Sequence, residues 1–278
     1  MNRIICPVDF SEPANNALEY AANLAVHLKA QLTLLHIVQK NALHETPTGA
    51  KIIEATEELE KEAKRKLETC CEELKKEFTL DCFIRVKTHS EGLEKALSME
   101  LTEEGFDLAV MGTNGPDDYN QLFFGTHTYN VIRKINIPLL MVPKGCQFES
   151  FENMVYASDY DNEDMVTLQK LVDFANVFSS KITFLHISNH DTEKSEEIFL
   201  SFKDVYEDKL EAAPGTIFFE REINKDSTRG IDAYMDEKKA DLLVLQVKHR
   251  TALQKIFHDS VIKKLSFAAT YPVLINQN

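Results

Sequence analysis

The sequence predicts an α/β protein built from two tandem, doubly wound, five-stranded parallel-sheet domains. Two observations carry this reading. Short apolar runs of strand length alternate with amphipathic helical stretches, the pattern of a parallel sheet covered by helices on both faces. The whole pattern then occurs twice: RIICPVDFSEPANNALEYAANLAVHLKAQLTLLHIV, from Arg3, aligns without a gap on NMVYASDYDNEDMVTLQKLVDFANVFSSKITFLHIS, from Asn153.

The repeat also fixes the domain organisation. Asp9 matches Asp159 and His36 matches His186 at an offset of 150, whereas Asp107 matches Asp241 and Pro138 matches Pro272 at 134. The second copy is therefore shorter in its middle, where the first carries a long charged stretch from Ala50 to Phe78. Domains are expected over 1–144 and 152–278, with KGCQFESFE as the linker.

Within the first copy each element follows from its hydrophobic period. RIICPV reads as a buried strand, after which Ser11 caps a helix with Pro13 in its first turn. Ala14, Ala17, Leu18, Ala21, Leu24, Ala25 and Leu28 form its apolar stripe. LTLLHIV is the second strand. The charged stretch is a long helix with Leu59, Ala63, Leu67, Leu74 and Phe78 inward. LDCFIRV is the third strand, Leu93 to Leu101 a helix, and DLAVM the fourth strand. A helix from about Thr126 to Lys134 then leads into PLLMV, the fifth. Right-handed crossovers join the parallel strands.

Composition excludes several function classes. Forty-five acids against 31 Lys and Arg give a net charge of −14, which opposes attraction to nucleic acid or an anionic membrane. The longest apolar runs fall far short of the roughly 20 residues that span a bilayer. MNRIICPVDF shows no signal-peptide pattern, so the expected location is the cytoplasm. Five cysteines without C-x-x-C spacing indicate neither a disulfide framework nor a zinc site. Buried, reduced thiols are expected.

In an open parallel sheet, ligands bind beyond the carboxyl ends of the strands. Two segments there carry suitable residues: PVDFS at 7–11, and the loop in VMGTNGPDDYNQLFFGTHTYNVI at 110–132. Glycine lets bare backbone approach a phosphate, and a helix start offers unpaired N–H groups and a positive dipole end. Gly112, Gly115, Gly125 and Thr126 are placed to do this, although glycines alone equally suit turns and caps. Asp9 also reads as a plain loop carboxylate, and His36 and His186 as satisfied core histidines.

The spacing Gly112-x2-Gly115-x9-Gly125-Thr126 resembles the G-x2-G-x9-G-S/T signature of ATP-binding universal stress proteins. PVDFSEPANNALEYAANLA, LTLLHIV and IPLLMVPK are similar to that family's opening strand and helix, second strand and closing strand. The resemblance implies an adenine nucleotide alpha hydrolase-like fold with strand order 3-2-1-4-5. It further implies that Pro7, Val8 and Asp9 sit beside adenine and ribose, and that Ile37 holds the adenine through its backbone. Met111, Gly112, Gly115, Gly125, Thr126 and His127 would wrap the ribose and phosphates. The ligand is then ATP or another adenine nucleotide, with or without Mg²⁺. Asp117 and Asp118, in the loop itself, oppose a triphosphate unless they face solvent or hold Mg²⁺ through water.

In the second copy Gln246, His249 and Asp259 replace the three glycines, leaving Ser260. That copy is expected not to bind nucleotide in this mode. The chain has no G-x-x-x-x-G-K-S/T loop, no G-x-S-x-G elbow and no H-E-x-x-H, so dedicated catalysis is not expected. The family resemblance implies a stress-response protein acting through an unidentified protein partner. The alternatives are an interaction scaffold that binds no nucleotide, and a slow ATPase. The resemblance also implies pairing through fifth strands, so the two copies would form an internal pseudo-dimer. Homodimerisation is left open.

Overall fold

The computed structural model describes residues 1–39, 49–90, 92–102, 105–114, 131–132, 134–160, 164–213, 215–247, 261, 264–265 and 269–277. The chain divides into two compact units, Met1–Phe148 and Glu149–Asn276.

In the first unit, β1 (Arg3–Pro7), β2 (Gln31–Gln39), β3 (Cys82–His89), β4 (Leu108–Thr113) and β5 (Leu139–Pro143) form a parallel sheet. Their order is β3-β2-β1-β4-β5, as the family resemblance implied. The crossovers contain α1 (Glu12–Leu28), α2 (Gly49–Glu77) and α3 (Leu93–Leu101). α1 starts where expected: Ser11 is its N-cap, its side chain accepting from the Ala14 N–H, and a proline follows in the first turn. Ala14, Ala17, Leu18, Ala21, Leu24 and Ala25 are buried on one face, and Leu28, the last residue of the helix, is half-buried.

The second unit repeats the plan with β6 (Asn153–Ala157), α4 (Met165–Phe178), β7 (Lys181–Ser188), α5 (Glu193–Tyr206), β8 (Ile217–Ile223), α6 (Ser227–Lys238), β9 (Leu242–Val247) and β10 (Val273–Gln277). The order is β8-β7-β6-β9-β10. The copies share even their strand-opening clamps. Asp107 accepts from the Asn2 and Arg3 amides, and its counterpart Asp241 accepts from Glu152 and Asn153.

One expectation needs correction. Leu59 is 37% exposed, while Thr56, Ala63, Leu67, Cys71 and Leu74 are buried and Phe78 is half-buried. The inward stripe of α2 otherwise stands where expected, and Thr56, three residues before Leu59, continues it upstream in place of that leucine. The boundary between the units falls within the expected linker, and the linker packs at each end. Asn16 donates to the Pro143 and Cys146 carbonyls, and Phe148 packs edge-on against Tyr20 and His27. At its other end Phe151 is buried against Phe174 and Phe178. The cysteines are free thiols, and burial pushes Cys6 up to about 12. The helix expected from Thr126 to Lys134 lies largely outside the described residues.

Candidate functional site

At the carboxyl ends of β1, β2 and β4 the first unit opens a cleft of about 460 Å³. This is where ligands enter open parallel sheets. Pro7, Val8, Asp9, Ile37, Met111 and Gly112 all line it. The structure therefore brings together six of the ten residues expected at the site. The other four, Gly115, Gly125, Thr126 and His127, lie outside the described residues, as do Asp117 and Asp118.

The Asp9 loop is held by its own chemistry. The Val8 amide donates to the Leu35 carbonyl at 2.7 Å, extending the ladder one residue past β1. The Val8 carbonyl in turn lies 2.7 Å from His36 Nδ1. A carbonyl can only accept, so Nδ1 carries the proton. Phe10 follows with φ of 65°, a left-handed conformation costly for a bulky residue, and its ring lies 4.9 Å from the His36 imidazole. That turn redirects the chain into Ser11, whose amide and hydroxyl both donate to Asp9 Oδ1, at 3.0 and 2.5 Å. Asp9 is exposed at the cleft, with Oδ2 left without a partner among the described residues.

Gly112 has a reason beyond any ligand. A Cβ there would come within 2.2 Å of the Pro13 carbonyl oxygen and 2.5 Å of its carbon, both backbone. The end of β4 touches the first turn of α1, and only glycine allows that approach. Sequence reasoning assigned this glycine to phosphate contact and missed the packing role. It also missed Leu93, Leu97, Gln39 and Asn114, which line the cleft. The i, i+4 spacing of Leu93 and Leu97 was the signal for an apolar wall on α3.

The second unit keeps the loop anchors and changes what surrounds them. His186 Nδ1 donates to the Ser158 carbonyl at 3.0 Å, and Tyr160, with φ of 59°, stacks on His186 at 4.7 Å. Burial holds His186 below the ordinary imidazole value. Tyr160 also stacks on Phe202 at 3.9 Å, and its hydroxyl donates to the Phe184 carbonyl at 3.0 Å. Gln246, in the place of Gly112, is buried and accepts from the Tyr156 hydroxyl at 2.7 Å. A side chain stands at the position where, in the first unit, glycine lets the Pro13 backbone approach.

Among the described residues, no group of three or more His, Cys, Asp or Glu comes together to hold a metal ion. Nor is any helix among them long and apolar enough to cross a membrane.

Comparison with known proteins agrees with this architecture. The model of the Universal stress protein family matches residues 1–143 and again 150–276. A universal stress protein of Methanocaldococcus jannaschii is 28% identical over 157 residues, spanning 51% of this chain and 94% of that relative. The crystal structure of a universal stress protein from Archaeoglobus fulgidus covers 99% of this chain and 98% of its own, with a TM-score of 0.75 at 14% identity. One described as a putative universal stress protein from Pseudomonas aeruginosa covers 100% and 93%, with a TM-score of 0.56 at 14% identity. At such identities the structural matches speak for the fold.

Proposed function

Because this chain belongs to the universal stress protein family, its family model matching both copies, we propose that the first unit binds an adenine nucleotide and the second does not. Occupancy of that site would tune the binding of a protein partner in a cytoplasmic stress response. No catalytic step is assigned.

The observation that carries this reading is the cleft itself. It lies at the carboxyl ends of the strands, has apolar walls from Ile37, Leu93, Leu97 and Met111, and presents the Asp9 carboxylate at its edge. Apolar walls suit a purine, and a carboxylate oxygen suits a ribose hydroxyl or an exocyclic amine. Mg²⁺ belongs to this reading only as a companion of the phosphates.

A second reading, an interaction scaffold that binds no nucleotide, is favoured by one observation: Gly112 is already required by Pro13. The two separate by denaturing purified full-length protein and resolving any released nucleotide by absorbance and chromatography. Released adenine nucleotide supports binding. Its absence, together with no uptake of added ATP, ADP or AMP, supports the scaffold.

A further inference from the structure

β3 lies at an edge of the first unit's sheet and β8 at the equivalent edge of the second's, each paired with one neighbour within its unit. Their registers correspond: Thr33, Leu35 and Ile37 pair with Phe83, Arg85 and Lys87, and Thr183, Leu185 and Ile187 pair with Phe218, Glu220 and Glu222. Alternate residues share a face. Arg85, Lys87 and His89 lie on the α3 face, where all three approach the buried Glu100 at 3.8, 3.6 and 2.9 Å. Glu220 lies on the α6 face, 3.5 Å from Lys238. The duplicated edge thus reads Phe-Arg-Lys in one copy and Phe-Glu-Glu in the other.

Both aromatics are exposed, Phe83 by 50% and Phe218 by 39%, and Lys87, Glu220 and Glu222 also reach solvent. Charged edges ordinarily prevent edge-to-edge pairing. Here that holds for like edges only. Two β3 edges would set cations against cations, and two β8 edges would set Glu against Glu. A β3 edge against a β8 edge sets opposite charges together, the arrangement that stabilises cross-strand pairs.

We propose that the β3 edge of one molecule pairs with the β8 edge of a second copy of this chain. The two edges are equivalent, so one sheet must turn half a revolution in its plane to meet the other with helix faces matched. The new pair is then antiparallel. With Arg85 opposite Glu220, Lys87 and Glu222 each find an opposite charge one diagonal step away. The contact is heterologous, leaving a free edge of each kind for further copies. The net charge of −14 opposes association at low salt. At about 0.15 M salt that long-range repulsion is screened over about 8 Å, while the touching pairs persist.

The test is sedimentation of the full chain at that salt, without nucleotide, over a range of concentrations. Wild type forms species larger than monomer. Arg85→Gln/Lys87→Gln and Glu220→Gln/Glu222→Gln each weaken self-association about tenfold or more. An equimolar mixture of the two variants regains association, because one supplies an intact β8 edge and the other an intact β3 edge. That recovery also shows that both variants are folded. Phe83→Ser, which leaves the Glu100 cluster untouched, weakens association as well. A wild type that stays monomeric, variants that associate as wild type does, or a mixture that fails to recover would overturn the proposal.

Discussion

His36 Nδ1 donates to the Val8 carbonyl at 2.7 Å, and 150 residues later His186 makes the same bond to Ser158 at 3.0 Å. The bond joins strand two to the loop after strand one, and in both units a left-handed aromatic residue packs on the imidazole. Its survival in the unit that lost the glycine loop identifies it as a device for setting the loop. In the first unit the loop so set carries Asp9 to the cleft.

Removing the imidazole should therefore act on stability first and on ligand second. His36→Ala orphans the Val8 carbonyl and is expected to cost about 1–3 kcal/mol, read as a lowered denaturant midpoint at unchanged slope. His36→Asn, which keeps an N–H near the Nδ1 position, should recover part of the loss.

Gly112→Ala tests packing against ligand contact. The added Cβ meets Pro13 backbone rather than a flexible side chain, so a loss of about 1–3 kcal/mol is expected with no nucleotide present. Unchanged stability of the ligand-free variant would return Gly112 to a purely ligand-binding role.

Ser11→Ala removes the cap of α1 and one of the two donors that hold Asp9 Oδ1, leaving the backbone amide. A loss of about 1 kcal/mol is expected. Nucleotide affinity should fall too, because the carboxylate then keeps only the backbone donor; calorimetry and thermal melting on one preparation separate the two effects.

His186 gives a pH signature. Its folded-state value lies below the ordinary 6.5 because burial disfavours the charged ring. In the window between the folded value and 6.5 the unfolded chain binds more protons, so stability rises with pH there. Its contribution is complete above 6.5 and declines as pH falls below it. Equilibrium unfolding from pH 7.5 downward should show this slope in wild type, and His186→Gln should flatten it.

Much of the architecture was legible because it rests on local rules. Hydrophobic period gave the strands, Ser11 and Pro13 marked the start of α1, and the repeat supplied the second unit. What escaped depends on contacts between elements distant in sequence. Leu59 sits on the rim of the α2 stripe, and Thr56, three residues before it, is buried instead; residues three apart share a helix face, so period alone cannot say which of the two goes under. The role of Gly112 depends on the backbone of Pro13, 99 residues away, and a lone glycine looks alike whether a helix or a phosphate approaches it. Phe10 gave no signal of left-handed backbone, since aromatic residues rarely adopt it; the His36 contact and the Ser11 clamp on Asp9 accompany it there.

The most direct test of the central claim is calorimetric titration of the full chain with ATP, ADP and AMP, with and without Mg²⁺, repeated on Asp9→Ala and Asp159→Ala. The expected result is one site per chain for at least one nucleotide, weakened about tenfold or more by Asp9→Ala, the loss of a hydrogen bond to a charged group, and unchanged by Asp159→Ala. No binding of any of the three, two equivalent sites per chain, or equal affinity in Asp9→Ala would contradict it.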